Sequence, residues 1–264
     1  MDLQLSDRTA LVTGSTAGIG YAIAERLARE GATVIINGRT PERVENAIAA
    51  VKTIAPAARL LGFPADLGTA ESANAAIRSF PEVDILVNNL GIFEAKPFDQ
   101  IPDEDWLRFF EVNVLSGVRL SRGYLPWMKE HNWGRIIFIS SESALQIPAE
   151  MVHYGMTKTA QLAVARGLAE SLAGTNITVN SILAGPTASE GVHGFVKQVA
   201  ASQNISEDAV EKQFFKTMRP TSLIQRFETP EEIAAMVTFV ASPMASGVNG
   251  AAIRVDGGVV RSIA

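Results

Sequence analysis

The chain has 264 residues, 47% of them hydrophobic, a formal net charge of −5 and no cysteine. Its length and apolar content suit one large α/β domain with a continuous core, so we expect a single domain over residues 1–264. The basic residues are scattered, which argues against nucleic acid or an anionic membrane as a partner. The absence of cysteine excludes disulfides, thiolate zinc sites and a thiol nucleophile within this chain.

Residues 1–9 are too polar for a signal peptide, and the apolar runs are too short and too often interrupted by charge to span a bilayer. We therefore expect a cytoplasmic protein. The histidines, His131, His153 and His193, lack the spacing of a metal site, so no bound metal is expected. The chemistry must then come from hydroxyls, amides, amines or a bound cofactor.

Short apolar, β-branched runs alternate with amphipathic segments along the chain, a pattern typical of βαβ units. The predicted strands are 9–12, 33–36, 59–63, 84–87, 135–139, 178–182 and 252–255. The predicted helices are 19–30, 41–54, 69–80, 103–130, 154–173 and 230–241. Most strands are rich in Val, Ile and Leu, as strands buried on both faces should be. The sequence thus predicts an α/β fold with a doubly wound, Rossmann-type parallel sheet of seven strands and helices on both faces, in three layers.

Three glycines join the first strand to the first helix, in the segment TGSTAGIG over 13–20. Glycines at such a turn let the backbone bend tightly and approach a pyrophosphate at the N-terminus of a helix. The spacing differs from GxGxxG, and the P-loop lysine is absent, so a glycine-rich turn without a ligand is the alternative at this point. The cofactor-binding residues predicted here are Gly14, Ser15, Thr16, Gly18, Ile19 and Gly20.

Tyr154 and Lys158 lie four residues apart on a predicted helix, so both side chains share one face. A free phenol has a pKa of about 10, and a neighbouring ammonium lowers it toward the range where the phenol can exchange a proton near neutrality. Ser141 ends the fifth predicted strand, 13 residues before Tyr154. On sequence grounds Ser140 and Ser143 compete with Ser141 for a role beside the tyrosine.

The TGxxxGxG spacing, the segment NNLG at 88–91, the YxxxK pair and the serine 13 residues upstream together resemble the short-chain dehydrogenase/reductase family, including its 3-oxoacyl-[acyl-carrier-protein] reductase-like members. The resemblance spans nearly the whole chain. It implies hydride transfer between a nicotinamide and a carbonyl carbon, with Tyr154 exchanging a proton with the substrate oxygen. It also implies that Ser141 holds that oxygen and that Lys158 binds the nicotinamide ribose. Asn113 would bend its helix and hold a water that relays protons to Lys158.

The same resemblance implies the remaining cofactor contacts, to the adenine, the adenosine side and the nicotinamide carboxamide. The residues so assigned are Asp66, Leu67, Asn89, Gly91, Gly185, Pro186, Thr187 and Ser189, with Tyr154 and Lys158. Without its neighbours, Asp66 would be an ordinary turn aspartate. Three positions depart from the family pattern: Leu90 replaces alanine, Ala184 replaces proline and Ser189 replaces threonine. We expect nicotinamide binding to survive these changes, with a less rigid loop.

The end of the second strand bears on which cofactor is preferred. NAD enzymes of this fold place an acidic side chain here, which binds the ribose hydroxyls and repels a 2′-phosphate. The corresponding position is Gly38, and Arg39 follows with a planar cation suited to a phosphate, while Ser15 and Thr16 could add hydroxyl donors. Many NADP-preferring relatives carry a second basic residue where this chain has Ala17. We expect NADP(H) to be preferred over NAD(H), the alternative being that Arg39 is an ordinary solvated arginine.

The stretch 188–227 follows the sixth strand, has no strand pattern and contains at most one helix, near 206–217. A long excursion at the carboxyl end of a strand is where a doubly wound sheet carries a lid. We therefore predict a mobile substrate lid over 188–227.

Other functions share parts of this pattern. Dehydratases and epimerases of the same fold usually have a larger C-terminal substrate region than this chain. A catalytically silent nucleotide-binding or regulatory protein would be expected to lack the tyrosine or the lysine, and both are present. An esterase built on Ser140 or Ser141 would need a GxSxG elbow, which is absent.

The substrate is left open, because the predicted pocket mixes apolar and polar groups that suit 3-oxoacyl thioesters, sugars, steroids or small ketones. The pocket residues predicted by position are Phe93, Lys96, Ser143, Gln146, Met151, His153, Thr187 and Phe195. Family members commonly assemble through the long fourth and fifth helices and the C-terminal strand, so the resemblance implies a homotetramer or a homodimer.

Overall fold

Seven parallel strands form one sheet, as predicted. The computed structural model describes residues 2–263, except for the side chains at 190, 191, 195, 198 and 203. The strands are β1 Thr9–Val12, β2 Thr33–Gly38, β3 Arg59–Pro64, β4 Ile85–Asn88, β5 Gly134–Ser141, β6 Ile177–Ala184 and β7 Ala252–Val255. Their order across the sheet is β3-β2-β1-β4-β5-β6-β7. The chain order reverses between β1 and β4, where a doubly wound sheet opens a crevice for its ligand.

Helices cover both faces of the sheet and complete the predicted three layers. They are α1 Gly18–Arg29, α2 Pro41–Ile54, α3 Ala70–Ser79, α4 Asp103–Phe110, α5 Ser116–Glu130, α6 Val152–Ser171, α7 Glu190–Gln203, α8 Glu207–Thr217 and α9 Pro230–Ala241. One core lies between the sheet and α1, α2 and α9, and the other between the sheet and α3, α5 and α6. Alternate strand residues serve the two cores: Val12 and Ile36 face one, and Leu11 and Ile35 face the other.

Two helices begin at threonine-proline pairs and have the predicted bounds. The Thr40 hydroxyl accepts from the Arg43 N–H at 3.3 Å at the start of α2. Thr229 and Glu232 form a reciprocal capping box at the start of α9. Each cap satisfies a main-chain donor that the helix leaves unpaired, which is why the sequence marks these starts so well.

The helix predicted over 103–130 is present, with a π-helical turn at the residue that the resemblance implied would bend it. α4 ends at Phe110, a π-helical turn occupies Glu111–Leu115, and α5 then continues to Glu130. Asn113 lies within this turn and is buried. A π-helical turn within a helix is frequently found at a functional site, and here it falls at the residue expected to bend the helix.

The prediction of at most one helix in 188–227 is wrong, because α7 precedes α8. The Ser189 hydroxyl caps α7 by accepting from the Val192 N–H at 3.4 Å. Val196 and Ala200 form an apolar stripe that packs on Val210 of α8. The two helices therefore form a small core of their own, separate from the two cores of the sheet.

Within residues 2–263, no helix combines the length and apolar character needed to cross a bilayer. The same described residues contain no cluster of His, Asp or Glu side chains able to hold a metal ion.

Candidate active site

The glycine loop lies between the carboxyl end of β1 and the start of α1. Gly14 and Gly18 have φ angles of +60° and +55°, which side chains rarely permit. A Cβ at Gly20 would lie 2.4 Å from the Gly14 carbonyl oxygen, so a larger residue does not fit there. α1 begins without a side-chain cap or an acidic residue in its first turn. The N–H groups of that turn are therefore available to an anion.

Two asparagines hold this loop to the neighbouring strands. The Asn37 side chain, on β2, accepts from the Gly14 N–H at 3.0 Å and donates to two main-chain carbonyls at the end of β3 at 2.9 and 3.0 Å. Asn89, after β4, donates to the carbonyls of Thr13 and Gly14 at 2.9 and 3.1 Å. Asn89, which was predicted to bind the cofactor, therefore holds the glycine loop in place. Asn37 was not predicted, although an amide within an apolar strand was the available signal.

Ser15 is used within the protein. Its buried hydroxyl donates to the Val12 carbonyl at 2.7 Å and accepts from the Asn37 N–H at 2.9 Å. Its own N–H donates to the Asn37 carbonyl at 2.8 Å. Both donors of Ser15 are engaged, which corrects the expectation that this hydroxyl is available to a phosphate.

The end of β2 has no acidic side chain, and Thr16 packs over the position where one would lie. A Cβ at Gly38 would lie 2.4 Å from Cγ2 of Thr16, because the threonine packs over this position. Arg39 is exposed and makes no hydrogen bond or ion pair with the described part of the chain. Its guanidinium is therefore available to an anionic ligand beside the glycine loop.

Asp66 and Leu67 follow β3. One carboxylate oxygen of Asp66 accepts from the Gly68 N–H at 2.9 Å, as in an ordinary aspartate turn, and the residue is exposed. Leu67 is buried in the core, so it can meet a cofactor only through its main chain.

The segment after β6 lies close to the glycine loop. A Cβ at Gly18 would lie 3.5 Å from the Ser189 Cβ, so these two predicted cofactor segments face each other. The Gly185 N–H donates to the Glu228 carboxylate at 3.0 Å, and the Pro186 carbonyl accepts from the Glu228 N–H at 2.9 Å. The Thr187 hydroxyl donates to the Gly185 carbonyl at 2.9 Å. Glu228, which the sequence did not indicate, thus anchors the segment that lacks the family's proline.

These surroundings fit a dinucleotide. Two left-handed glycines, an uncapped helix N-terminus and an exposed guanidinium lie at the carboxyl ends of β1 and β2. Main-chain N–H groups and a planar cation are the donors that pyrophosphate and a ribose phosphate require.

Ser141, Tyr154 and Lys158 come together at the carboxyl end of β5. Ser141 is the last residue of β5 and lies within hydrogen-bonding reach of the Tyr154 phenol, which projects from α6. The Lys158 Nζ lies 5.6 Å from the centroid of the Tyr154 ring and donates to the Ile139 carbonyl at 2.9 Å. The rival Ser140 is engaged elsewhere, since its hydroxyl donates to the Lys158 carbonyl at 2.9 Å.

Asn113 belongs to the same cluster. A Cβ at Gly91 would lie 3.5 Å from the Lys158 Nζ and 3.6 Å from the Asn113 Oδ1, so all three groups meet there. The Asn113 side chain holds the Ile92 main chain, accepting from its N–H at 2.8 Å and donating to its carbonyl at 3.0 Å. The Asn113 carbonyl accepts from the Gln161 amide at 2.6 Å. Gln161 was not predicted and gives no signal in the sequence beyond its place on α6.

Burial controls the ionisation of the two α6 residues. It raises the pKa of Tyr154, and the Glu142 carboxylate raises it further, while the Ser141 hydrogen bond and the Arg219 charge lower it. Burial lowers the pKa of Lys158 to about 8, against the opposing effect of Glu142. At neutral pH the chain's own groups therefore keep the phenol protonated and most of the ammonium charged. Lys158 alone does not lower the phenol pKa to neutrality, so the positive nicotinamide ring of an oxidised cofactor would have to contribute, as the resemblance implied.

A buried ion pair that the sequence did not indicate adjoins Ser141. The Arg219 Nε lies 3.0 Å from the Glu142 Oε1, and the two residues are 8% and 4% exposed. The Ser141 hydroxyl donates to the other oxygen, Oε2 of Glu142. The available signal for Glu142 was a carboxylate directly after an apolar strand.

Of the predicted pocket residues, Phe93 and Ser143 lie beside the catalytic cluster, and His153 does not face it. The ring of Phe93 packs edge-on against Tyr154, with centroids 6.3 Å apart, and the Ser143 N–H donates to the Ser141 hydroxyl at 3.1 Å. His153 is fully buried beneath aromatic rings and so does not face an open cleft. The Phe195 side chain lies outside the described residues.

A glycine loop at the switch point of a seven-stranded parallel sheet, with serine, tyrosine and lysine gathered beyond β5, defines a nicotinamide-dependent oxidoreductase. The chain belongs to the short-chain dehydrogenase/reductase family. A family model described as Enoyl-(Acyl carrier protein) reductase matches residues 14–260. The chain is 53% identical, over the full length of both proteins, to the uncharacterized oxidoreductase YvaG of Bacillus subtilis.

Two characterised relatives extend this comparison. The chain is 35% identical to the 3-oxoacyl-[acyl-carrier-protein] reductase FabG of Aquifex aeolicus, over 98% of this chain and 100% of that protein. Its structure is similar to that of L-sorbose reductase from Gluconobacter frateurii complexed with NADPH and L-sorbose, with a TM-score of 0.93, 31% identity and full coverage of both chains. These likenesses agree with the fold and with the class of enzyme that the sequence predicted.

Proposed function

We propose that this enzyme is an NADP(H)-dependent reductase that interconverts a small ketone or aldehyde and its alcohol, with Tyr154 as the general acid and base. One observation carries the proposal. Ser141, Tyr154 and Lys158 converge beside Gly91 and Asn113, at the end of the crevice that begins with the glycine loop. The resemblance to NADP(H) reductases supports the same reading.

In the reduction, NADPH held by the glycine loop and Arg39 would supply the hydride for the carbonyl carbon. Tyr154 donates its phenol proton to the carbonyl oxygen, for which the raised pKa of the phenol is suited. Ser141 holds the oxygen within reach of the phenol. Lys158 keeps its charge beside the tyrosine and binds the nicotinamide ribose, and Asn113 sustains the proton relay to Lys158. In the oxidation the same groups act in reverse, with the tyrosine taking the proton.

The preference for NADP(H) over NAD(H) rests on the end of β2. Gly38 offers no carboxylate to repel a 2′-phosphate, and Thr16 fills the space that such a side chain would need. Arg39 is exposed and unpaired among the described residues, so its planar cation can bind a phosphate. The similar L-sorbose reductase was solved with NADPH.

The test is a substrate panel followed by a matched pair of variants. L-sorbose, 3-oxoacyl thioesters, steroid ketones and small ketones are offered with NADPH, and its absorbance is followed. Tyr154→Phe should lower turnover by a factor on the order of 10² while leaving NADPH binding nearly intact, because only proton transfer is lost. Tyr124→Phe is the control, since this buried phenol has no hydrogen-bond partner among the described residues. Turnover retained by the Tyr154 variant would refute the mechanism.

The proposal includes a cytoplasmic location and a homotetramer, or a homodimer, of this chain. A second function, as a silent nucleotide-binding or regulatory protein, would be favoured if the panel gave no turnover while NADPH bound normally.

A further inference from the structure

Three groups surround the Ser141 hydroxyl. Its oxygen accepts from the Ser143 N–H at 3.1 Å, its proton is directed to the Glu142 Oε2, and the Tyr154 phenol lies within reach. A serine hydroxyl has one proton to donate and two lone pairs with which to accept. Glu142 therefore sets the direction of the serine's proton.

Arg219 fixes the carboxylate of Glu142. Its Nε donates to the Glu142 Oε1 at 3.0 Å, and its Nη1 donates to the Met218 carbonyl at 2.9 Å and lies 3.5 Å from the Glu150 Oε1. The guanidinium also lies 6.0 Å from the ring centroid of Phe214. The Glu142 carboxylate cannot turn away from Ser141 without breaking its bond to this anchored arginine.

Stability does not account for the pair. Removing two charges from water is costly, and an apolar pair of similar volume is often as stable as a buried ion pair or more so. Both residues are nevertheless nine-tenths buried or more, and they meet across 77 positions of the chain. Their shared location beside Ser141 gives a functional reason for the arrangement.

We propose that Glu142 and Arg219 form a positioning pair, in which Arg219 holds the Glu142 carboxylate and Glu142 orients the Ser141 hydroxyl beside Tyr154. With its proton directed to Glu142, the serine oxygen accepts a hydrogen bond from the phenol or from the hydroxyl of an alcohol; to hold a carbonyl oxygen, the serine proton turns from Glu142 to that oxygen. This inference rests on the proposed roles of Ser141 and Tyr154. It also makes a residue of the predicted lid, Arg219, necessary for the geometry of the site.

The two charges of the pair act on the phenol in opposite directions. Glu142, beyond β5, raises the pKa of Tyr154, and Arg219, beyond α8, lowers it. Lys158, on α6, is the other cation that faces the phenol, 5.6 Å from its ring. Removing one member of the pair should therefore shift the phenol pKa one way, and removing the other should shift it the opposite way. Loss of structure alone would not give opposite signs.

A phenolate titration tests this without any substrate. The chain has three tyrosines, so Tyr21→Phe/Tyr124→Phe leaves Tyr154 as the sole phenol, and its ultraviolet difference spectrum with NADP⁺ bound reports its ionisation. In this background Glu142→Gln should lower the Tyr154 pKa by about 1 unit and Arg219→Gln should raise it by about 1 unit. The double variant should return close to the parent. Loss of the signal in Tyr154→Phe verifies its source.

Opposite shifts that cancel in the double variant support the positioning pair. Unchanged values, or shifts of the same sign, overturn it. If Glu142→Gln does not fold, Arg219→Gln and Arg219→Lys provide the test. Arg219→Gln should raise the Tyr154 pKa, whereas Arg219→Lys, which keeps the charge, should leave the Tyr154 pKa close to that of the parent. Retention of the parent value by Arg219→Gln contradicts the proposal.

A double-mutant cycle asks whether Glu142 acts through Ser141. With the active substrate from the panel, Glu142→Gln should lower kcat about 10-fold and leave the KM for NADPH unchanged. In a protein that already carries Ser141→Ala, adding Glu142→Gln should lower kcat little further. Additive losses would overturn the inference. Glu170→Gln, on the exposed surface of α6, is the control for loss of a carboxylate and should leave both constants unchanged. Turnover that survives in Tyr154→Phe would instead refute the proposed function itself.

Discussion

Glu228 should make the stability of the protein depend on pH between about pH 4.5 and 7. The residue is 4% exposed, and burial is the main reason that its pKa rises from 4.5 to about 7. The charges of Asp256 and Glu232 raise this pKa further, and the N–H groups of Gly185 and Gly257 lower it. Because the folded pKa lies above the unfolded one, the protonated carboxyl favours the folded state. This stabilisation is complete below the unfolded value and is lost as the pH rises through the folded value.

The size of the effect follows from the shift. Each pKa unit corresponds to about 1.4 kcal/mol, so the move from 4.5 to about 7 corresponds to about 3 kcal/mol. Glu228→Gln keeps an acceptor for the Gly185 N–H but cannot ionise. The free energy of unfolding of the native protein should therefore fall by up to about 3 kcal/mol, relative to this variant, between about pH 4.5 and pH 8.

Urea unfolding at a series of pH values, at fixed ionic strength, measures this difference. Glu232→Gln is the matched control, because Arg226 lowers the pKa of Glu232 to about 2 and this carboxylate titrates outside the window. The control should keep most of the native protein's slope between about pH 5 and pH 8, and lose only the part that comes from the charge of Glu232 acting on Glu228. Parallel stability curves for the native protein and Glu228→Gln would refute the reasoning.

The remaining predictions concern the cofactor and the lid. Lys158→Ala should lower kcat/KM on the order of 10²-fold and also weaken NADPH binding, measured by fluorescence titration; normal cofactor affinity would contradict its ribose contact. Arg39→Ala should reduce the ratio of kcat/KM for NADPH to that for NADH about 10-fold at fixed ionic strength, and an unchanged ratio would show that this arginine does not bind the phosphate. Amides in 188–227 should exchange faster than the sheet in the free protein and become protected with cofactor and substrate; exchange as slow as the sheet's would refute the lid.

Most of the sheet was predictable because the five inner strands, β2, β1, β4, β5 and β6, are buried on both faces. The alternation of β1 residues such as Leu11 and Val12 between two cores leaves no polar face to obscure the pattern. The threonine-proline starts of α2 and α9 were predictable because the cap is a contact between near neighbours. The π-helical turn at Glu111–Leu115 has no mark in the local pattern, and only the family resemblance indicated a bend at Asn113.

The α7 helix shows a different limit. Its stripe of Val196 and Ala200 has helical spacing, but the segment carries two glycines and packs on α8 and not on the sheet. Where the local pattern is weak, tertiary contacts such as these determine whether the segment forms a helix, and the sequence does not show those contacts.

In the candidate site, too, residues close in the sequence were predicted and residues that only the fold brings together were not. Tyr154 and Lys158 are one helical turn apart, so their spacing carries the geometry directly. Glu142 and Arg219 are 77 positions apart, and a sequence records two charges without recording that they meet. The same holds for Asn37 and Glu228, which act through main-chain groups that the fold alone brings near. Predictions from spacing therefore find the groups that do chemistry more readily than the groups that hold them.

Two of the buried carboxylates, Glu142 and Glu228, have different partners. Glu142 lies 3.0 Å from the Arg219 guanidinium and accepts from the Ser141 hydroxyl. Glu228 lies near Asp256 and bonds to main-chain N–H groups, which compensate a charge less fully, and its pKa rises to about 7. A change of pH near neutrality should therefore act on the segment after β6, at Gly185 and Pro186, through Glu228, whereas on our proposal the orientation of Ser141 depends on Arg219.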